Sequence, residues 1–406
     1  MKTSRLGEGT EILRSGKGYP SYRNLGYLVV SHRTPIHGPS DNLVTFLSTA
    51  ANRVCYLTLP LVDATDSSYD RCRVEVFQRQ KPTESREYDG RPFRGSWANY
   101  LYHLLIAALL PASNVKSFDI AIAADPVNCL SCLVLKLFSR MRLAVVYYVI
   151  DYSPARFPNR MMNAAYRVAD RICAKFSDST WCISERVLGK LQGYSRLPRV
   201  VPIGIPRSEF AHNQKTPFRR RLIIMGNITK TLGIDLALDA FDELGDEIDG
   251  LEMEIIGVGP YLDVLREKVA SMRLSDRVRF LGRLDHTDLF HHLREGGVGL
   301  ATYLPDLRSH SYFADPMKPK EYMACGLPVI ITRVPAIAEQ IEKAGAGFAI
   351  NYEKRDLAYA IRQLLTDPAE YSNRQRNAVS FSKAFISEDI YEDALDSVLA
   401  SRYVHR

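Results

Sequence analysis

The chain reads as an α/β protein of two doubly wound parallel-sheet domains that face one cleft. Short apolar runs rich in β-branched and aromatic residues alternate with longer helical patterns, the signature of parallel α/β architecture. The alternation comes in two series, separated by "RVVPIGIPRSEFAHNQKTPF" (199–218), which is rich in proline and polar residues and lacks helical periodicity. The 406 residues also exceed the roughly 250 to 300 at which a single core stops growing.

In the first series the strands are expected at 26–31, 54–59, 118–124, 143–150 and 179–184, each an apolar run such as "GYLVVS" or "LAVVYYVI". Helices are expected at about 98–110, 127–139, 159–176 and 185–192, where the apolar positions recur at helical spacing. The second series starts with "RRLIIMG" (220–226) and continues at 251–257, 277–282, 297–303, 328–332 and 347–350, with helices between. The boundary falls near 205 to 215, giving domains 1–205 and 206–385. Ligands of such sheets bind outside the carboxyl ends of the strands, so the chemistry belongs to loops that follow strands.

Composition narrows the function classes. Apolar residues make up 46% and charged residues 24%, a globular balance, and the net charge of +7 suits anionic partners such as phosphorylated ligands or an acidic membrane surface. No Arg/Lys tract is interleaved with aromatics, so nucleic acid is not an expected partner. The 7 cysteines lie in apolar runs and read as reduced core thiols; Cys129 and Cys132 form a C-x-x-C without a second pair. The first residues carry charge but no apolar h-region, so no signal peptide is expected and the cytoplasm is the predicted compartment. "LYHLLIAALL" (101–110) falls short of the roughly 20 residues a membrane span requires.

Two strand-end loops in the second series suit an anion. In "YFADPMKPKEYMACGLPVI" (312–330), Pro319 disfavours helix at Lys318 and suits a first helical position, which predicts a helix over 319–325 ended by Gly326. The amides of Lys320, Glu321 and Tyr322, the helix dipole and the Lys318 ammonium would then converge on a diphosphate. Glu321 can accept hydrogen bonds from a ribose diol, or it can simply cap its own helix while Lys318 is solvated. In "GNITKTLGID" (226–235), Gly226 lets backbone approach a ligand and Lys230 can cradle phosphate; a plain turn with a solvated lysine is the competing reading. "GVGPYL" (257–262) has Leu262 where a dinucleotide fingerprint has its third glycine, and reads as a tight βα turn.

"LIIMGNITKTLGIDLALDAF", "EIIGVGPYLDVLREK", "VRFLGRL", "EYMACGLPVIIT" and "AGAGFAI" resemble, in order and spacing, the nucleotide-sugar domain of GT-B glycosyltransferases of the glycosyl transferases group 1 set, over about 220–385. The resemblance implies two Rossmann-like domains and transfer of a sugar from a UDP- or GDP-linked donor, without metal or cofactor. It gives Glu321 the ribose, Lys230 and Lys318 the diphosphate, and residues 282–284, Arg283 among them, the nucleobase through backbone. It also implies that the final segment, 386–406, forms a helix packing back on the first domain. Two departures stand out: Phe313 occupies the place of the first glutamate of Glu-x7-Glu, leaving Asp315 as the nearby carboxylate, and Asn227 stands where many members have arginine. Both leave retention of configuration open.

On the acceptor side, Asp151 follows the strand "YYVI" and can orient or deprotonate a hydroxyl, or make a local turn before Ser153-Pro154. Asp125 reads as part of the N-cap of the next helix. In "SHRTPIHGPSDN" (31–42), Gly38 is the expected close-approach residue and His37 either touches ligand or is a loop histidine. No D-x-D occurs, which fits leaving-group stabilisation by lysines and helix dipoles. Over 157–176, Arg160, Arg167, Arg171 and Lys175 oppose Met161, Ala165, Val168 and Ile172, a pattern that suits either an anionic membrane surface, where lipid-linked acceptors reside, or a solvated face over a core. A saccharide is the other acceptor class, in exopolysaccharide, capsule or surface-glycan synthesis. A nucleotide-sugar 2-epimerase on the same fold is the alternative reading, and a periplasmic-type binder is disfavoured by the N-terminus.

Overall fold

The structure is a computed structural model that describes residues 20–33, 38–60, 70–78, 81–90, 92, 98–112, 117–139, 142–210, 216–245, 247–306 and 310–403. The first sheet contains β1 (Gly26–Arg33), β2 (Arg53–Pro60), β3 (Arg71–Gln78), β4 (Lys81–Asp89), β5 (Ile120–Ala124), β6 (Ala144–Val149), β7 (Ser179–Cys182) and β8 (Pro198–Val200). Their order is β4-β3-β2-β1-β5-β6-β7-β8. Around it lie α1 (Pro39–Ala50), α2 (Ala98–Ala112), α3 (Pro126–Phe138), α4 (Arg160–Phe176) and α5 (Glu185–Leu191).

The sheet is not wholly parallel. β2 pairs antiparallel with β3, and β3 antiparallel with β4. This hairpin escapes sequence reading because β3 interleaves Arg71, Arg73 and Glu75 with its apolar residues, and every residue of β4 except Tyr88 is exposed. β4 lies outside the apolar core and leaves no hydrophobic run, whereas β3, with Cys72 and Val76 buried, carries the alternation of a half-buried strand.

The second sheet contains β9 (Arg221–Met225), β10 (Glu252–Ile256), β11 (Val278–Gly282), β12 (Val298–Ala301), β13 (Val329–Thr332) and β14 (Gly347–Ile350). All are parallel in the order β11-β10-β9-β12-β13-β14, with the topological switch between β9 and β12. Its helices are α6 (Ile234–Leu244), α7 (Leu262–Ser271), α8 (His286–Leu293), α9 (His310–Phe313), α10 (Met317–Ala324), α11 (Ile337–Lys343), α12 (Lys354–Thr366) and α13 (Pro368–Ser382). The central strands β9, β12 and β13 are apolar runs buried on both faces, as parallel sheets require.

The chain then returns to the first domain as α14 (Ser387–Tyr403), whose Tyr391, Leu395 and Leu399 enter the first core. Tyr391 donates to Pro39 O at 3.1 Å and its ring lies 5.8 Å from Phe46. The two passages between domains run side by side: Ile205 bridges Ile386, and Ser387 N donates to Ile205 O at 2.9 Å. Ser184 Oγ, just after β7, donates to Phe313 O, and Arg186 donates to Tyr312 O, so strand-end loops of both sheets face one another.

Candidate functional site

The switch point of the second sheet is built from backbone. Gly226 follows β9 at φ +138, and a Cβ there would lie 2.2 Å from Cε and 2.6 Å from Nζ of Lys318. Gly257 follows β10 at φ +135, where a Cβ would meet Gly226 O at 1.9 Å. Gly257 N donates in turn to Gly282 O at 2.7 Å, and Ile228 N to Val258 O at 2.9 Å. The "GVGP" glycines therefore serve the close contact of two strand-end loops, a tight βα turn. Together these contacts tie residues 226, 257, 282 and 318 into one surface, with Asn227, Lys230 and Arg283 exposed on it.

The helix at this surface starts earlier than its sequence suggests. Pro316 is the N-cap and α10 begins at Met317, so Pro319 is third rather than first and the helix ends at Ala324. The four leading backbone nitrogens of a helix lack partners inside it. Two of the four here belong to prolines, so the end presents the amides of Met317 and Lys318, not those of Lys320, Glu321 and Tyr322.

Lys318 and Glu321 set each other's charge. Burial pulls the Lys318 ammonium below its usual range, partly offset by the Glu321 carboxylate. Burial pushes Glu321 up to about 7; Lys318 pulls it back and Glu209 adds to the rise. Tyr303, beyond β12, has its hydroxyl buried without a partner among the described residues, on the opposite side of the switch point from Gly226.

Asp315 is held at the passage between the domains. Its Oδ2 accepts from Lys320 Nζ at 2.5 Å and from Ile203 N at 2.6 Å, while Lys320 Nζ also donates to Ile203 O. Both side chains are buried, and Lys320 lies 4.4 Å above the Phe385 ring. The carboxylate clamps the passage between domains.

In the first domain the strand ends carry a polar chain. Asp151 is exposed, with Oδ2 3.3 Å from Arg156 Nη1. Arg156 also donates to the Tyr166 hydroxyl at 3.1 Å, which donates to Asp125 Oδ2 at 3.2 Å, and His32 Nε2 lies 3.4 Å from the same oxygen. Asp125 stands at φ 81, and its Oδ1 accepts from Val127 N, capping α3. Burial raises its pKa, yet the His32 hydrogen bond and charge, the Arg156 charge and the Val127 amide together hold it below the usual carboxylate range. His32 Nδ1 is buried without a partner among the described residues.

His32, Arg156 and Tyr166 are the residues that sequence reading missed. β1 runs two residues past its predicted end, which makes His32 a strand-end residue; that position is the signal. Gly38 caps α1 at φ −122, its N–H donates to Asp41 Oδ2 at 2.7 Å, and a Cβ would meet only that oxygen, at 3.7 Å. Nothing among the described residues therefore requires glycine there. His37 lies outside the described residues.

Comparison with known proteins agrees with this architecture. Anabaena HepE in complex with UDP superposes with a TM-score of 0.69 at 15% identity, covering 93% of this chain and 100% of that one. Sucrose-phosphate synthase from Thermosynechococcus elongatus gives 0.68 at 14% identity, covering 94% and 100%. The protein thus has the GT-B fold, two Rossmann-like domains about a cleft. Residues 207–380, within the second domain, match the family model "Glycosyl transferases group 1".

Among curated relatives, one component of human phosphatidylinositol N-acetylglucosaminyltransferase is 33% identical over 144 residues, 34% of this chain and 28% of that protein. Alpha-monoglucosyldiacylglycerol synthase of Streptococcus pneumoniae is 23% identical over 244 residues, 56% and 54%. The chain spans about a quarter to about half the length of these curated relatives.

Proposed function

We propose that the protein is a glycosyltransferase moving a hexosyl group from a UDP- or GDP-linked sugar to a hydroxyl of a saccharide or lipid-linked acceptor in surface-glycan synthesis. The observation that carries this reading is the Lys318 ammonium lying directly on Gly226 at the switch point, beside Glu321. Lys318, Lys230 and the two free amides of α10 stabilise the departing diphosphate by charge and hydrogen bonding, and the reaction needs no metal. Glu321, once ionised, accepts from the ribose diol. Arg283 and its neighbours border the nucleobase, and Asn227 lines the phosphate loop.

Asp151 serves the acceptor hydroxyl from across the cleft, oriented by Arg156, while the acceptor passes Gly38 and His37. Support for the nucleotide comes from HepE, solved in complex with UDP, and support for a lipid-linked acceptor from relatives named for phosphatidylinositol and for the synthesis of a monoglucosyldiacylglycerol. The 2-epimerase alternative finds no support among these relatives. The reading places the protein in the cytoplasm, at the inner face of the membrane where such lipids lie.

A thermal-shift panel of UDP, GDP, ADP, CMP and NAD without added metal tests it, because a ligand of the folded state raises the melting temperature by mass action. The expected result is stabilisation by UDP or GDP alone. Silence across the panel sinks the donor-site reading.

A further inference from the structure

The apolar stripe of α4 faces outward. Met161, Val168, Ile172 and Phe176 are 80%, 52%, 39% and 50% exposed, while Asp170 is 2% exposed beneath the same helix. A helix that covers a sheet ordinarily does the reverse. The inward polar face is fixed by its partners: Asp170 accepts from the Tyr147 hydroxyl, and Tyr166 reaches Asp125. Rolling the helix to bury the stripe would break those hydrogen bonds and strand the buried Asp170 carboxyl.

The neighbouring helices extend the surface. α2 packs against α3 and α3 against α4. Leu101, Leu105 and Leu109 of α2 recur at one-turn spacing and are 52%, 55% and 62% exposed. Arg160, Arg171 and Lys175 stand exposed around the α4 stripe. Asp170 is the sole carboxylate in the sequences of these three helices, and it is buried. The face is therefore apolar and cationic, with no exposed negative charge of its own.

We propose that the outer face of α2 to α4 docks on a bilayer containing anionic phospholipid, its apolar side chains entering the headgroup boundary and its cations meeting lipid phosphates. Charge argues for this occupant over a second copy, since a two-fold contact through this face would set cations against cations. The inference deepens the reading of a lipid-linked acceptor, and docking is measured without donor or acceptor, so it fails or stands apart from the transferase assignment.

The test is co-sedimentation of the purified chain with phosphatidylcholine vesicles, with and without phosphatidylglycerol. Binding is expected only with phosphatidylglycerol, weakening at high salt. Val168→Asp/Ile172→Asp and, separately, Arg171→Glu/Lys175→Glu should each lower partitioning by about tenfold or more. Both variants should keep the wild-type circular dichroism and nucleotide-induced thermal shift, which shows that they fold. Wild-type protein left in the supernatant of anionic vesicles overturns the proposal, as does undiminished binding of the folded variants. A wild-type dimer that the aspartate pair converts to monomer in light scattering would give the face to a second copy and overturn it too.

Discussion

Glu321 sits next to a lysine that favours its ionised form and a glutamate that opposes it, with burial tipping the balance upward. A carboxyl must be ionised to accept from both hydroxyls of a ribose. Nucleotide affinity should therefore increase as pH climbs through about 7 and flatten above it, in calorimetric titrations with UDP and GDP. Glu321→Gln should remove that dependence, and an unchanged profile in the variant would place the titration elsewhere. Glu321→Ala and Lys318→Ala should each weaken nucleotide binding about tenfold or more, the worth of a hydrogen bond to a charged group.

Asp170 gives a second titration of the opposite consequence, in stability rather than binding. Burial lifts it to about 7 against a usual 3.8, so the folded state holds a proton that the unfolded chain releases. Its contribution is complete below the unfolded pKa and is lost as pH rises toward the folded one. The melting temperature should thus fall between about pH 4 and pH 7, with a slope of at most about 1.4 kcal/mol per pH unit from this group. Asp170→Asn keeps an acceptor for Tyr147 and should flatten that slope; a slope equal to wild type would assign it to other groups.

At the scale of elements, the loop after β9 works through what it lacks. Gly226→Ala puts a methyl where the Lys318 ammonium lies and forces a non-glycine residue to φ +138. The variant should lose on the order of 1 kcal/mol or more of stability and bind nucleotide weakly. Normal binding by the variant would mean that Lys318 swings aside freely.

The parts of the fold legible in the sequence are those where burial and periodicity agree. All six strands of the second sheet appear where their apolar runs predict. β4 is invisible because an exposed strand carries no such signal, while β3, with Cys72 and Val76 buried, alternates apolar and charged residues and offers no continuous apolar run. The start of α10 is misplaced because Pro319 is compatible with either the first or the third helical position, and the local sequence does not choose between them. His32 goes unnoticed for a related reason: its role depends on where β1 stops, and strand ends are set by pairing with β2, not by the run itself. The pairing of Asp315 with Lys320 joins residues five apart through a third, Ile203, that is distant in sequence.

For the whole molecule, that clamp and the paired passages hold the domains in register. Asp315→Ala leaves the Lys320 ammonium buried and uncompensated, which should cost about 3 to 5 kcal/mol. Asp315→Ala/Lys320→Met should recover much of that loss in a denaturant double-mutant cycle. A double variant as unstable as the single would show that the pair is not the source.

The return of α14 to the first core also bears on how the protein is born. Tyr391, Leu395 and Leu399 complete a hydrophobic core whose other buried members before α14 lie ahead of residue 202, apart from Phe313, so that core stays open while the whole second domain is synthesised. The second domain, contiguous from about 207 to 385, has all its core strands before the first has its closing helix, against the usual sequence in which the N-terminal domain is completed first. A nascent chain stalled at any point in between shows an unfinished apolar face to chaperones, and a stop codon after 386 would be expected to damage the half of the protein that was translated first.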